Sequence, residues 1–243
     1  MPPSNLNFTM KTLVKRIPQI KIAIFGVVLM SSGFLSDAAA QVVIYSQDFT
    51  GGPSPLAGTT STTGGGTWVG NGIVRLDGIT AGAGADSLAF TPQSGFVYNL
   101  TATISITSAD PWIGVGFLES NATYGFLGSQ ITPTALRTTG WQIWPPGFNS
   151  TNLTTSDDVL VQLDTTGAQW TAAVFQGDTQ IGSTYTYATN PTINWVGCVS
   201  DGASSGSVSA VELTVVPEPS TWALLAMGLM TILFFRCRRR QAA

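Results

Sequence analysis

The segment Phe96–Ile106 reads FVYNLTATISI and carries the clearest structural pattern in the chain. Apolar residues occupy every second position of this segment, and most of the positions between them are polar. A period of two is typical of a β-strand that buries one face and leaves the other in water. The segment therefore predicts a half-buried strand and indicates a β-rich fold around it.

Similar segments occur on both sides of this strand. Val159–Leu163 is predicted as a strand that ends at Asp164, and Trp170–Gln176 is predicted to pair with it across a turn at residues 165–168. Further strands are predicted at Val42–Asp48, Ile73–Leu76, Ser87–Phe90, Trp112–Glu119, Gly140–Trp144, Thr184–Tyr187, Ile193–Val199 and Val208–Val215. We therefore predict an all-β domain over residues 41–215, an antiparallel β-sandwich of jelly-roll type.

Residues that favour turns separate these segments. Segments 51–66 and 80–86 are dense in small and polar residues, and we predict mobile surface loops there. Pro145-Pro146-Gly147 predicts a turn after Trp144. The polar segment 200–207 is predicted to connect two strands as a hairpin.

Charge is unevenly distributed over the 243 residues. Of the ten Lys and Arg residues, only Arg75 and Arg137 lie between residues 41 and 219, whereas twelve of the thirteen acidic residues lie there, which gives this part a net charge of −10. A body this acidic does not bind nucleic acid by neutralising phosphates. Cations are better partners for it.

The content of histidine and cysteine narrows the chemistry further. The chain has no histidine, which removes the usual general base and the commonest zinc ligand. Its two cysteines are Cys198 and Cys237. If export and trimming remove the second, no intrachain disulfide can form, and we predict that Cys198 is a thiol buried in a strand.

Residues 1–40 have the organisation of a signal peptide. Lys11, Lys15, Arg16 and Lys21 form a positive region, and Ile22–Met30 is a short apolar stretch. The small residues Ala38 and Ala40 suit a signal peptidase, so we predict cleavage before Gln41. An uncleaved anchor is the alternative, and Met10 is an alternative start.

The stretch after residue 215 combines two prolines, an apolar run and a basic tail. Trp222–Phe235 contains no charged residue, and Arg236, Arg238, Arg239 and Arg240 follow it. We predict a single C-terminal transmembrane helix over residues 221–235, with the arginines of the tail 236–240 kept in the cytoplasm. The uncharged run gives roughly 21 Å of helix, short of a hydrocarbon layer of roughly 30 Å, so it would borrow flanking residues. A buried core helix is the alternative.

Residues 216–240 closely resemble the PEP-CTERM sorting signal. The resemblance rests on the motif Pro217-Glu218-Pro219, the apolar helix and the basic tail. It implies an exosortase-type membrane protease as partner, which cuts near the motif and passes the body to the cell exterior. It also implies a Gram-negative bacterium that makes extracellular polysaccharide.

The body resembles concanavalin-like and laminin-G-like sandwiches more loosely. The resemblance rests on Tyr45–Phe49, on the series from Val159 to Trp170 with the turn Gly177-Asp178, and on the closing segment Val208–Val215. It supports the predicted fold. That fold hosts lectins, glycan hydrolases and adhesion modules, so it does not choose among functions.

Catalysis finds little support in the residue pattern. Glycan hydrolases on this fold use two closely spaced carboxylates, one as acid and one as nucleophile. Glu119 and Glu212 each lack an acidic residue two positions away, and the adjacent pair Asp157-Asp158 would face opposite sides of a strand. A Ser-His-Asp triad is excluded because histidine is absent. We expect no catalytic residues and no enzyme.

Tryptophans are the candidates for contact with sugar rings. They are Trp68, Trp112, Trp141, Trp144, Trp170 and Trp195. The richest cluster holds Trp141 and Trp144, which we predict as glycan contacts, although on a strand they point to opposite faces. The alternative is that these rings fill the core.

Acidic residues in predicted loops raise the question of a Ca²⁺ site. Asp110, Asp157-Asp158 and Asp201 fall in predicted loops where Ca²⁺ could bind, but the spacing of a calcium loop is missing. Solvated surface charge is the preferred interpretation, so we expect no metal site and no cofactor.

These observations predict an exported protein that begins as a single-pass membrane precursor. After sorting it would reside at the cell surface or in the extracellular matrix, with a structural role or weak contact with polysaccharide. A carbohydrate-binding lectin-like module is the alternative, and a glycan hydrolase is the third.

Overall fold

The computed structural model describes residues 41–106, 112–121, 133–137, 140–144, 148–150, 158–217 and 228–231. By its internal contacts the chain divides into two compact units, one of which is Ala39–Trp222. This unit contains a continuous apolar core of its own. In the other unit, residues 228–231 are helical. Within the described parts of the chain, no helix has the length and apolar character needed to cross a membrane.

The described part of the first unit is built from antiparallel strands. They are β1 (Val42–Gln47), β2 (Val69–Gly70), β3 (Ile79–Ala89), β4 (Phe96–Ile106), β5 (Ile113–Leu118), β6 (Thr134–Arg137), β7 (Trp141–Trp144), β8 (Phe148–Ser150), β9 (Asp158–Asp164), β10 (Thr171–Gln176), β11 (Thr179–Thr186) and β12 (Trp195–Pro217). The prediction of an all-β antiparallel sandwich is confirmed.

The strands form two layers that share β12. The first layer runs β11-β10-β9-β4-β12-β1, and the second runs β2-β3-β12-β5-β6-β7-β8. Residues 195–203 of β12 pair with β3 and residues 195–200 with β5, whereas residues 206–217 pair with β4 and residues 211–215 with β1. The ladders shift register between Ala203 and Ser207 and again between Val208 and Ala210, where β12 passes from one layer to the other.

The core lies between the layers and follows from the alternation of the strands. On β4, Leu100 and Ile104 are completely buried and the intervening Thr101 is exposed. Val161 and Leu163 of β9 face the same core, as the sequence predicts, and Phe117 of β5 meets them from the second layer. Burial of these side chains is the main term that stabilises the sandwich.

Two predicted loops are strands in the structure, and these predictions are wrong. Segment 80–86 belongs to β3, and segment 200–207 belongs to β12. The two segments pair with each other in antiparallel register, with Ser200 opposite Gly84 and Ala203 opposite Ala81. Small residues have low intrinsic strand preference, but tertiary pairing between two such segments overrides that preference. Ile193–Val199 and Val208–Val215, predicted as separate strands, are therefore parts of one strand.

Smaller differences concern segments with little local signal. Ile73–Leu76 was predicted as a strand and instead makes isolated bridges, Val74 with Thr80 and Arg75 with Pro55. The short strands β2, β6 and β8 are additional to the predicted set.

The prediction that Cys198 is a buried thiol is confirmed, because its side chain is fully buried and free. Burial raises the pKa of this thiol strongly.

Candidate functional site

The structure separates the candidate tryptophans into distinct environments. Trp68 and Trp141 are each only 1% exposed and lie in the main core, and Trp170 packs against that core while half-buried. Trp112, Trp144 and Trp195 are also half-buried, but they pack against a second apolar cluster. We call these last three residues the tryptophan face.

The tryptophan face lies on the outward side of the second layer. Along β12, Val196 and Cys198 point into the core, so Trp195 and Val199 point outward. Cross-strand partners share a side, and Trp195 lies opposite Leu118. Trp144 belongs to the same side because the neighbouring Ile143 is a core residue. Three separate strands or strand ends thus bring three indoles to one surface.

The floor between the indoles consists of small residues and short apolar ones. Ala85, Leu118, Leu136 and Val199 form the buried cluster beneath the rings. One row across the sheet contains Ser87, Gly197, Gly116 and Thr134, and it ends at Trp144. The two glycines of this row lie between two hydroxyl residues, and all four residues are buried.

Close packing of the strands explains the glycines in this row. A Cβ on Gly197 would lie 2.2 Å from the carbonyl oxygen of Asp86, and one on Gly116 would lie 2.4 Å from Oγ1 of Thr134. Any larger residue would therefore have to push the neighbouring strand away. The hydroxyl of Ser87 in the same row is buried and has no hydrogen-bond partner in the part of the chain that the structure describes.

The structure places Trp141 away from the tryptophan face. Trp141 points into the core from β7, and the guanidinium carbon of Arg137 lies 5.2 Å from the centroid of its ring. Arg137 pairs with Trp141 across β6 and β7 and is itself 8% exposed. The cation covers one face of the indole and apolar side chains surround the rest. Trp141 therefore presents no ring face to a ligand in this structure, in contrast to the predicted glycan contact, whereas Trp144 keeps part of its ring accessible.

Sequence reasoning gave all three members of the tryptophan face as candidates but did not group them. The alternation of Trp141, Gln142, Ile143 and Trp144 does separate Trp141 from Trp144. Around Trp195 the residues are apolar on both sides of the strand, so the sequence pattern has no outward face there. Only the pairing of β12 with β3 and β5 shows that Trp195 joins Trp144.

Acidic residues are spread over other surfaces. Asp201, predicted in a loop, lies in β12, and Asp158 begins β9 and accepts a hydrogen bond of 2.6 Å from Oγ1 of Thr103. Asp158, Asp178 and Glu212 line an open groove of about 400 Å³ on the first layer. Among the described residues, no group of three or more acidic or cysteine side chains is arranged to hold a metal ion. Asp110 and Asp157 lie outside the described residues.

One buried carboxylate has a structural task. Asp86 is completely buried on β3 and accepts hydrogen bonds of 2.8 Å from the backbone nitrogens of Gly72 and Val74. Burial raises the pKa of this carboxyl group, and the backbone hydrogen bonds oppose that rise. The side chain fixes the segment around residues 72–74 against the sheet, because both nitrogens depend on it for a partner.

The sorting motif begins where the sandwich ends. Pro217 is the last residue of β12 and lies opposite Phe96 of β4. Glu218, Pro219 and the arginines 236 and 238–240 lie outside the described residues, as do Ala38 and Ala40 of the predicted signal-peptide cleavage site. The folded body thus continues directly into the motif, without a linker between strand and motif.

Comparison with known proteins bears on the sorting motif and on the fold. Residues 215–240 match the PEP-CTERM protein-sorting motif. No curated protein matches the chain. Similar solved structures include an endo-1,3-β-glucanase from Streptomyces sioyaensis, with 9% identity and a TM-score of 0.43, over 75% of this chain and 99% of that one.

Two further solved structures have comparable similarity. Arcelin-5, a lectin-like defense protein from Phaseolus vulgaris, is 9% identical with a TM-score of 0.37, and the match covers 75% of this chain and 95% of that one. A sialidase from Trypanosoma rangeli is 12% identical with a TM-score of 0.41, over 83% of this chain and 37% of that one. The described part of residues 41–217 is an all-β antiparallel sandwich, as its strand pairing shows. The chain carries a PEP-CTERM sorting motif, which marks it as an exported protein.

Proposed function

We propose that the protein is a non-enzymatic component of the cell surface or extracellular matrix. A signal peptidase removes residues 1–40, and the helix over residues 221–235 holds the precursor in the inner membrane. An exosortase-type protease then cuts near Pro217-Glu218-Pro219. The match of residues 215–240 to the sorting motif is the observation that carries this proposal.

A structural role for the body is favoured because the chain has no histidine and the glutamates of the body do not form a catalytic pair. The chain contains no histidine, and Glu119 and Glu212 lie on different layers of the sandwich, at the end of β5 and in β12. General acid–base catalysis of glycan hydrolysis needs two carboxyl groups on either side of one bond. These two glutamates do not supply such a pair.

Polysaccharide contact is assigned to the tryptophan face. Partly exposed indoles suit the apolar faces of sugar rings, and Trp112, Trp144 and Trp195 are all half-buried. The ligand is a neutral polysaccharide, because the body has a net charge of −10 and would repel an anionic one. Arg75 does not change this, since it is paired with Asp77, and Arg137 is buried under Trp141.

Sorting predicts a defined change at both ends of the chain. Mass spectrometry of the protein exported by a host that has an exosortase should find a chain that begins at Gln41 and ends close to Pro219. Replacing Pro217 and Pro219 together with alanine should prevent the second cut, because the protease would lose the rigid part of its recognition motif. A Ser220→Ala variant is the matched control and should be cut normally. A mature wild-type chain that still ends at Ala243 would contradict the proposal.

Polysaccharide contact predicts that two tryptophans matter and a third does not. Binding of the fragment 41–217 to neutral polysaccharides should weaken about tenfold for Trp144→Ala and for Trp195→Ala, which corresponds to about 1.4 kcal/mol each. Affinity electrophoresis in gels that contain the polysaccharide measures this effect. Trp170→Ala is the control, because Trp170 is equally half-buried but packs against the main core.

The pattern of ligands separates the two leading functions. Similar weak binding to several neutral polysaccharides supports the structural role, whereas tight and saturable binding to one glycan supports the lectin-like alternative. Binding that is unchanged in both tryptophan variants would show that the tryptophan face is not the contact surface. Turnover of any glycan by the purified fragment would contradict the non-enzymatic assignment.

A further inference from the structure

The end of the sandwich that leads into the sorting motif carries an apolar surface. Val42 is 54% exposed and Val43 is 41% exposed, and they are two of the three large apolar side chains exposed among the described residues of the sandwich. Val215 lies opposite Val42, and Val216 lies opposite Val97 on the next strand. Val42 and Val215 lie on the core side of the sheet, and Val43, Val97 and Val216 lie on its other side, so both sides of this sheet end are apolar. We call these five residues the terminal patch.

Aromatic side chains adjoin the terminal patch on the core side of the sheet. A groove of about 400 Å³ lies beside Val215 and is lined by Ile44, Tyr45 and Phe96, among other residues. Both aromatic rings are half-buried, and the hydroxyl of Tyr45 donates a hydrogen bond of 2.9 Å to the carbonyl oxygen of Ala89. Amphipathic aromatic rings of this kind are favoured at the boundary between water and lipid.

Chain length places this end of the sandwich close to the bilayer in the precursor. Only residues 218–221 separate Pro217, the last residue of β12, from the uncharged run Trp222–Phe235. Four extended residues span at most about 14 Å. If the apolar run is held in the membrane, the terminal patch therefore lies within reach of the lipid head groups as long as the chain is uncut.

We propose that the terminal patch docks the body onto the lipid surface before the sorting cut. The proposal rests on the membrane anchor of the proposed function. It adds a second contact with the membrane, between the terminal patch and the lipid surface. Val42 and Val43 would insert at the head-group boundary, with Tyr45 and Phe96 beside them. Docking would hold the motif at the depth at which a membrane protease works.

Charge indicates that this contact is apolar rather than electrostatic. Between residues 41 and 217 the only cations are Arg75 and Arg137, and neither belongs to the strands β1, β4 or β12 that form the terminal patch. An acidic body gains nothing from anionic lipid. Docking should therefore occur on a neutral phosphatidylcholine surface and should be insensitive to salt.

The test measures water access at two ends of the anchored body. Residues 41–243 carrying Cys237→Ser are placed in phosphatidylcholine nanodiscs, with one fluorophore at Gln41→Cys or at Asp178→Cys. Both positions are exposed, Gln41 adjoins the terminal patch, and Asp178 lies in the turn between β10 and β11. Cys198 is fully buried and is not expected to react. Docking predicts that iodide quenches the label at residue 41 roughly threefold less than the label at residue 178.

A second variant distinguishes docking from mere proximity. Val42→Ser together with Val43→Ser should remove the protection of residue 41 and leave the anchored chain in the nanodisc, because the substitutions affect only exposed positions. Equal quenching at both labels in the wild-type patch would overturn the docking proposal while leaving the anchor in place. Failure of the chain to co-purify with nanodiscs would overturn the anchor and, with it, the docking.

Discussion

Replacing Trp141 with alanine is expected to lower the free energy of unfolding of the sandwich by about 4 kcal/mol. Trp141 is 1% exposed, belongs to the main core and has the guanidinium of Arg137 over its ring at 5.2 Å. Alanine would leave a cavity the size of an indole and a buried cation without its aromatic partner. Urea unfolding of the fragment 41–217, followed by tryptophan fluorescence, measures the loss.

Trp144→Ala is the matched control, three positions away on the same short strand. Trp144 is half-buried and packs on the outward cluster, so its loss should cost about 1 kcal/mol of stability. The two variants thus have different main effects: Trp141→Ala lowers the free energy of unfolding, and Trp144→Ala lowers the affinity for polysaccharide. A Trp141→Ala protein that unfolds at the wild-type urea concentration but no longer binds polysaccharide would mean that the ring faces a ligand, contrary to the structure.

A strand of this fold can be predicted from sequence when one of its sides is buried and the other faces solvent. The strand Phe96–Ile106 was predicted with the bounds that the structure shows, because buried positions of β4 alternate with half-buried or exposed ones from Tyr98 to Ile104. Val159–Leu163 was also predicted as a strand, and burial alternates along β9 in the structure. Binary patterning is sufficient where a strand lies within a single layer.

The long strand β12 could not be predicted from local pattern. Its middle part, residues 200–207, is rich in Gly, Ser and Ala because it crosses between the layers and pairs with the equally small residues of β3. Small polar residues also favour turns, so the sequence of this part is ambiguous when it is considered alone. Pairing across more than a hundred residues of chain decides its structure, and no window of sequence contains both partners.

The sorting motif and the tryptophan face also differ in whether one stretch of sequence contains the whole site. A sorting motif is linear, so Pro217-Glu218-Pro219 and the run that follows could be found from sequence, and the motif match covers the same residues. The tryptophan face is assembled from Trp112, Trp144 and Trp195, which share the outward side of the second layer only through the order of β5, β6, β7 and β12. Residue type gave the candidates, and strand register selected among them.

Removal of the Asp86 carboxylate is the second change with a large expected effect. In Asp86→Ala the backbone nitrogens of Gly72 and Val74 lose their acceptor inside the protein, and we expect a loss of about 3 kcal/mol in the free energy of unfolding. Asp86→Asn keeps one acceptor oxygen and should lose about half as much. Asp158→Ala is the control: its carboxylate is exposed, so removal should change stability by less than about 1 kcal/mol.

The pH dependence of stability tests the same carboxylate independently. Burial raises the pKa of Asp86 in the folded protein above its ordinary value of 3.8, so the folded state binds the proton more tightly than the unfolded state. The stabilisation from this proton is fully present at pH values below the pKa of Asp86 in the unfolded chain. It is lost as the pH rises through the pKa of Asp86 in the folded protein. Because asparagine does not titrate, the wild-type protein should exceed Asp86→Asn in stability by most in acid and by less at neutral pH. An advantage that instead grows with rising pH would mean that the folded protein prefers the charged form, and that hydrogen bonds from Gly72 and Val74 outweigh the cost of burial.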